Sequence, residues 1–139
     1  LTEKLKIFSM YLLDTNIIVF LFKNNENVAK KLTKIGLNNC YISEITIAEL
    51  KYGAEKSNRP VHHTKIVEEF IGEVSVIPII DVLDVYAKEK KKKKKIGNRI
   101  DDFDLLIGAS AIVTGLVLVT NNVAHLQRMD NIIIEDWTK

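Results

Sequence analysis

A single cysteine, Cys40, excludes an internal disulfide and any zinc site built from several cysteines. It fits a reducing compartment, or a small buried apolar residue. An excess of charge of either sign is also lacking. The formal net charge is only +2, too little to imply a partner by itself. No long apolar run is present. The first run follows cationic residues, but Asp14, Thr15 and Asn16 interrupt it. The second, Leu105 to Val119, carries Ser110, Thr114 and Gly115. It falls short of the ~20 apolar residues that a spanning helix needs. Neither stretch reads as a membrane segment or a signal peptide, so no membrane contact is expected. Several enzyme signatures are missing too. There is no P-loop and no dinucleotide glycine pattern. An Asp-x-Asp phosphatase start is spoiled by Asn16, and the acidic pair of a phosphorelay receiver is absent. Gly108-Ala109-Ser110-Ala111-Ile112 lacks the last glycine of a nucleophile elbow and falls within a predicted helix.

The chain has 139 residues, of which 47% are hydrophobic and 27% charged, which is one ordinary globular domain. Met10 directly precedes the first predicted strand. Residues 1–9 are therefore expected to be an upstream extension, and residues 10–139 the domain.

That first strand is Tyr11-Leu12-Leu13, and it ends abruptly in Asp14-Thr15-Asn16. In open α/β sheets, ligands bind outside the carboxyl ends of strands. Asp14 there is either a site carboxylate or the N-cap of the next helix. A helix is predicted over Val28 to Ile35 with Gly36 as its C-cap, and a second strand over Cys40 to Ile42. Ser43 then caps a helix over Glu44 to Lys56, whose apolar positions are Ile45, Ala48, Tyr52 and Ile47, Leu50, Ala54. Glu49 sits on or beside that stripe, or else on the helix's exposed edge. A lone carboxylate on the inner side is costly unless it is paired or binds a metal.

His62 and His63 open the next helix. As sequence neighbours they face different ways, so they read as exposed polar residues. A third strand is expected over Val74 to Ile80, edge-like because of Pro78, with Asp81 capping a helix from Val82 into the lysines. Lys90, Lys91, Lys92, Lys93, Lys94 and Lys95 form an unbroken basic block. The block is either a solvated helix end or a phosphate-contacting patch beside Asp101-Asp102-Phe103-Asp104. In the helix after Ile100, Asp104 borders a face of Phe103, Ile107, Ser110 and Thr114. Gly108 there suggests close backbone packing, and Gly115 a stop. Strands are expected at Leu116 to Val119 and at Ile132 to Ile134.

Short apolar strands alternating with helices predict an α/β fold. It is a three-layer α/β/α arrangement around a mostly parallel sheet of four to five strands. Asp14, Glu49 and Asp104 then fall where they can meet at one end of the sheet. Carboxylates without paired bases suit a hard cation such as Mg²⁺ or Mn²⁺.

Leu13-Asp14-Thr15-Asn16, Ile47-Ala48-Glu49-Leu50, Asp104-Leu105-Leu106-Ile107, Leu118-Val119-Thr120-Asn121-Asn122 and Glu135-Asp136-Trp137 together resemble a PIN domain. Within that family they resemble the VapC toxins of bacterial toxin–antitoxin pairs. Each piece is unspecific alone, but their order and spacing over about residues 10–138 make the set specific. The resemblance implies a Mg²⁺- or Mn²⁺-dependent endoribonuclease in the bacterial cytoplasm, hydrolysing RNA with a metal-activated water. It implies a homodimer, inhibited by a VapB-type antitoxin in a toxin–antitoxin hetero-oligomer. Asp14, Glu49 and Asp104 match the family's metal-site acids, and Asn16 and Thr120 match supporting polar positions. One departure stands out. Many PIN domains carry a fourth acid at the position of Asn122 or a few residues later. Here Asn122 is an amide, and His125 stands where some relatives have Glu. Asp101 and Asp102 are the nearby acids. A second reading therefore stays open: a catalytically weak or inactive PIN-fold module that binds RNA or protein.

Overall fold

Leu12 and Leu13 are both fully buried, yet they face opposite ways. That alternation is the period of a strand with both faces covered, and it organises the fold around strand β1, Tyr11–Leu13. The computed structural model describes residues 10–95, 97 and 99–139. The expected extension, residues 1–9, lies outside them. β1 is followed by helices α1 (Thr15–Phe22) and α2 (Glu26–Ile35), then β2 (Cys40–Ser43), α3 (Glu44–Glu55) and α4 (Pro60–Ile71). The chain continues with β3 (Ser75–Ile77), α5 (Leu83–Lys95), α6 (Asp102–Thr114), β4 (Val117–Val119), the single turn α7 (Val123–Leu126) and β5 (Ile134–Glu135).

All four pairings are parallel, in the order β3-β2-β1-β4-β5. The Leu12 side packs Leu118 and Ile77 against Leu105, Leu106 and Ala109 of α6 and Leu126 of α7. The Leu13 side packs Ile42 and Val119 against α1, α2, α3 and α4 through Ile17, Val28, Leu50 and Phe70. The expected α/β class and parallel sheet are observed, with five strands. The chain order reverses between β1 and its neighbour β4, and this switch point is where open parallel sheets place their ligands.

Local chemistry explains the element ends. Ser43 Oγ accepts the Ile45 N–H at 3.0 Å, and Asn25 Oδ1 accepts the Val28 N–H at 3.1 Å. Gly36 and Gly115 end helices with φ of 88° and 71°, a region that an L side chain rarely adopts. A Cβ on Gly108 would overlap the Met129 sulfur, so its absence allows α6 to pack close to the segment after α7.

Several expected boundaries move, most by one or two residues. The third strand covers only Ser75–Ile77, because Pro78 has no N–H for the ladder and the chain turns into a 3₁₀ helix at Ile79–Val82. Asp81 sits inside that 3₁₀ turn and caps nothing, and α5 starts at Leu83. The last strand is Ile134–Glu135, the two residues that pair with Leu118 and Val119. The edge position of the third strand is as expected.

Candidate active site

Asp14 leaves the end of β1 beside the end of β4, its N–H donating to the Val119 carbonyl at 2.9 Å. The side chain is 3% exposed. Its Oδ1 accepts the Thr15 N–H at 2.7 Å, and its Oδ2 accepts the Thr120 hydroxyl at 2.8 Å. The cap and the site carboxylate are thus one residue: Asp14 starts α1 and also faces the pocket. Burial pushes its pKa up to about 6, against the lowering pull of Thr120 and Thr15 and with the help of the Asp104 and Glu49 charges.

Glu49 reaches the same pocket from α3, half-buried. Its Oε1 accepts the Thr15 hydroxyl at 2.6 Å, and Thr15 Oγ1 lies 3.0 Å from the buried Thr46 hydroxyl. Asp104 arrives from the first turn of α6. Burial raises its pKa, as does the Asp101 carboxylate, while His125 opposes them. Its Oδ2 accepts Asn122 Nδ2–H at 3.2 Å. Because a carboxylate can only accept, that contact fixes the amide's orientation, leaving Asn122 Oδ1 to accept from His125 Nδ1 at 2.7 Å. The Asn122 N–H donates to Thr120 Oγ1 at 2.9 Å, and the Asn121 N–H to Asn16 Oδ1 at 3.2 Å. One short loop after β4 therefore holds Asp14 through Thr120 and Asp104 through Asn122.

The pocket has a volume of about 460 Å³, and Asp14, Glu49 and Asp104 all line it, together with Asn16, Asn121, Phe20 and Lys23. Lys23 is the residue that sequence reasoning missed. Its position two turns past Asn16, at the end of a helix that begins at the site, was the available signal. Among the described residues, no three His, Cys, Asp or Glu side chains stand close enough to cage an ion by themselves. The donor set nonetheless suits a hard divalent cation. Three carboxylates share one pocket, and oxygen donors of that kind are the ligands such an ion takes.

Other candidates lie elsewhere. Asp101 caps α6, accepting the Phe103 N–H at 3.3 Å, Asp102 pairs with Lys90 at 2.9 Å, and neither lines the pocket of Asp14, Glu49 and Asp104. His62 and His63 pack against each other, with ring centroids 5.2 Å apart. The lysine block divides. Lys92 lies 3.4 Å from both Glu89 and Asp130, and the buried Lys93 donates to the Arg128 carbonyl. Both therefore tie α5 to its neighbours. Lys91 and Lys95 line a separate cavity with Lys88 and Ile112.

The PIN domain family model matches residues 11–132. The tRNA(fMet)-specific endonuclease VapC of Shigella flexneri is 33% identical over 135 residues, covering 92% of this chain and 98% of the relative. This chain belongs to the PIN domain family, in its VapC ribonuclease branch. Ribonuclease VapC2 of Rickettsia felis is likewise 33% identical, over 94% of this chain and 99% of the relative. Among solved structures, the DNA-bound VapBC of Salmonella typhimurium superposes with a TM-score of 0.86 at 33% identity, covering 93% of this chain and 98% of the other. VapBC-1 from nontypeable Haemophilus influenzae gives 0.83 at 34% identity, covering 94% and 99%.

Proposed function

We propose that this VapC-family chain is the toxin of a VapBC-type pair and hydrolyses RNA phosphodiesters at Asp14, Glu49 and Asp104 with Mg²⁺ or Mn²⁺. The observation that carries the reading is the convergence of three acids from β1, α3 and α6 on one pocket at the switch point of the sheet. A divalent ion held by these acids supplies Lewis acidity toward water and a phosphoryl oxygen. The chain's residues fix the geometry around it. Thr15 holds Glu49, Thr120 and the Thr15 N–H hold Asp14, and Asn122 holds Asp104. Lys23, on the pocket wall, is placed to meet the negative charge of the phosphate. Water attacks phosphorus in line and the 3′ oxygen departs, leaving a 5′-phosphate and a 3′-hydroxyl. No side chain serves as a covalent nucleophile.

The Shigella relative is named for tRNA(fMet), and a structured RNA of that kind is the substrate class proposed here. Solved relatives are VapBC assemblies, which supports a VapB-type antitoxin as partner in a toxin–antitoxin hetero-oligomer; a toxin homodimer is proposed with it from the family resemblance alone. The bacterial cytoplasm is where such a nuclease meets its RNA. Among the described residues, no helix is long and apolar enough to cross a membrane.

The test is incubation of purified, antitoxin-free chain with total bacterial RNA in Mg²⁺, in Mn²⁺ and in EDTA. Discrete fragments are expected with either metal and none in EDTA. Intact RNA under all three conditions, from folded protein, would return the weight to a binding module without catalysis. Asn122→Ala is expected to lower cleavage by about 10–100-fold, the usual cost of losing a group that orients a metal ligand. An unchanged rate would show that Asp104 needs no such support.

A further inference from the structure

We infer that the cavity between the end of α5 and the first turn of α6 is a second phosphate site, in which Lys94 and Arg99 take a backbone phosphate of the RNA; the inference rests on the ribonuclease reading. This cavity has a volume of about 420 Å³ and is lined by Lys90, Lys93, Lys94 and Arg99 against Asp101, Asp102 and Leu105. Its acidic groups are already engaged. Asp102 is paired with Lys90 at 2.9 Å, and Asp101 accepts the Phe103 N–H as the cap of α6. Lys93 is turned away to the Arg128 carbonyl. Among the described residues, Lys94 and Arg99 are in no ion pair and both are exposed. Two unengaged cations thus face an open cavity beside the positive end of a helix.

Position ties this cavity to the substrate. Its floor is the turn Asp101–Leu105, and that same turn carries Asp104 into the acid pocket. The cavity and the site are two sides of one helix start, so a strand reacting at the acids runs its neighbouring phosphates past Lys94 and Arg99. The other exposed lysines are placed differently. Lys88, Lys91 and Lys95 gather beside Ile112, eight residues beyond Asp104 and therefore roughly 12 Å along the axis of α6. Helix register, rather than lysine count, selects the contact.

The experiment compares two double variants in the full chain carrying Asp14→Asn, which keeps RNA uncut. Lys94→Ala with Arg99→Ala removes the proposed contact. Lys88→Ala with Lys91→Ala removes the same charge from the other side. Binding of bulk bacterial tRNA is measured across a salt series in Mg²⁺. The first pair is expected to lower the slope of log affinity against log salt by about 0.7 to 0.9, as the loss of one phosphate contact does, and the second by less than half of that. Equal losses from both pairs would overturn the site, leaving only a diffuse basic field. So would an unchanged slope from Lys94→Ala with Arg99→Ala, including one accompanied by lost capture of the antitoxin. Cleavage by the unaltered chain is scored alongside. If RNA binds through Lys94 and Arg99 but is never cut, the nuclease reading fails and the phosphate site stands. If RNA is cut but the two slopes fall alike, only the phosphate site fails.

Discussion

Asp14→Asn is expected to abolish metal-dependent RNA cleavage while leaving the chain folded and, without metal, more stable above pH 6. The kinetic expectation follows from the site. Asp14 is the most buried of the three acids and lies at the carboxyl end of β1, bonded to the end of β4. Losing its charge removes several kcal/mol of metal and transition-state stabilisation. At 1.36 kcal/mol per tenfold, that is roughly a thousandfold or more. The stability expectation has the opposite sign. Without metal, the folded pKa of Asp14 is raised from 3.8 to about 6. Between those values the folded chain keeps a proton that the unfolded chain has released. The group's contribution is therefore best at low pH and deteriorates as pH rises through 6. Above that point the buried charge costs on the order of 2–3 kcal/mol. Asparagine cannot ionise, although its amide replaces only part of the hydrogen bonding to Thr15 and Thr120, so a net gain of about 1–2 kcal/mol is expected. Thermal unfolding in EDTA at pH 5 and pH 8 reads this directly: the variant gains at pH 8 and little at pH 5. Adding Mn²⁺ should then raise the Tm of the unaltered chain and barely move the variant. Cleavage surviving in the variant would remove Asp14 from the machinery. Equal stability at pH 8 would show that its carboxylate is not the desolvated group described.

The acids were legible in the sequence for a simple reason. Each interrupts or borders an apolar stretch, and a carboxylate there needs a physical justification. The groups that hold them were less legible. Thr15 and Glu49 are 34 residues apart, and their hydrogen bond depends on how α1 and α3 meet across one face of the sheet. The two readings of Asp14 were equally supported because both describe the same residue. Along α3, Ile45, Leu50 and Ala54 face inward as the pattern suggests, but Ala48 and Tyr52 do not. Tyr52 is 67% exposed, with the Lys56 ammonium 5.0 Å from its ring centroid. Phe103, grouped with the inner face of α6, is likewise exposed. Aromatic residues with one surface free satisfy a periodicity count without being core. The lysine block hid its register altogether, since six identical residues have no period. The stripe is set upstream: Val82, Val85 and Tyr86 point toward α6, and the same row continues into Glu89 and Lys93, which are buried in consequence. A charged residue at a helix-periodic position can be drawn inward by neighbours that are not its own kind.

Trp137→Ala is expected to cost about 3–5 kcal/mol of stability, the usual range for emptying a large aromatic site. The indole is only 2% exposed and belongs to the core that also holds Leu13, Ile17 and Val119. Its ring meets Tyr11 edge-on, with centroids 5.1 Å apart, and its Nε1–H donates to Glu135 Oε1 at 2.9 Å. The end of the chain is thereby anchored to the start of the central strand. The next residue carries the anchor to the site: Thr138 Oγ1 accepts Asn121 Nδ2–H at 3.3 Å, and the Thr138 carbonyl accepts Asn27 Nδ2–H at 3.0 Å. Asn121 lines the acid pocket beside the loop that positions Asp14 and Asp104. Emptying the Trp137 site should therefore loosen that loop as well as lower stability. Cleavage per folded molecule is expected to fall, while Trp137→Phe keeps most of the packing and forfeits the bond to Glu135, at about 1–2 kcal/mol. Denaturant unfolding followed by circular dichroism measures both, since the substitution removes the chain's one tryptophan as a fluorescent probe. A loss below 1 kcal/mol for the alanine variant would mean that the C-terminal segment rests on the fold without supporting it. A full loss of stability with unaltered cleavage per folded molecule would separate the anchor from the site.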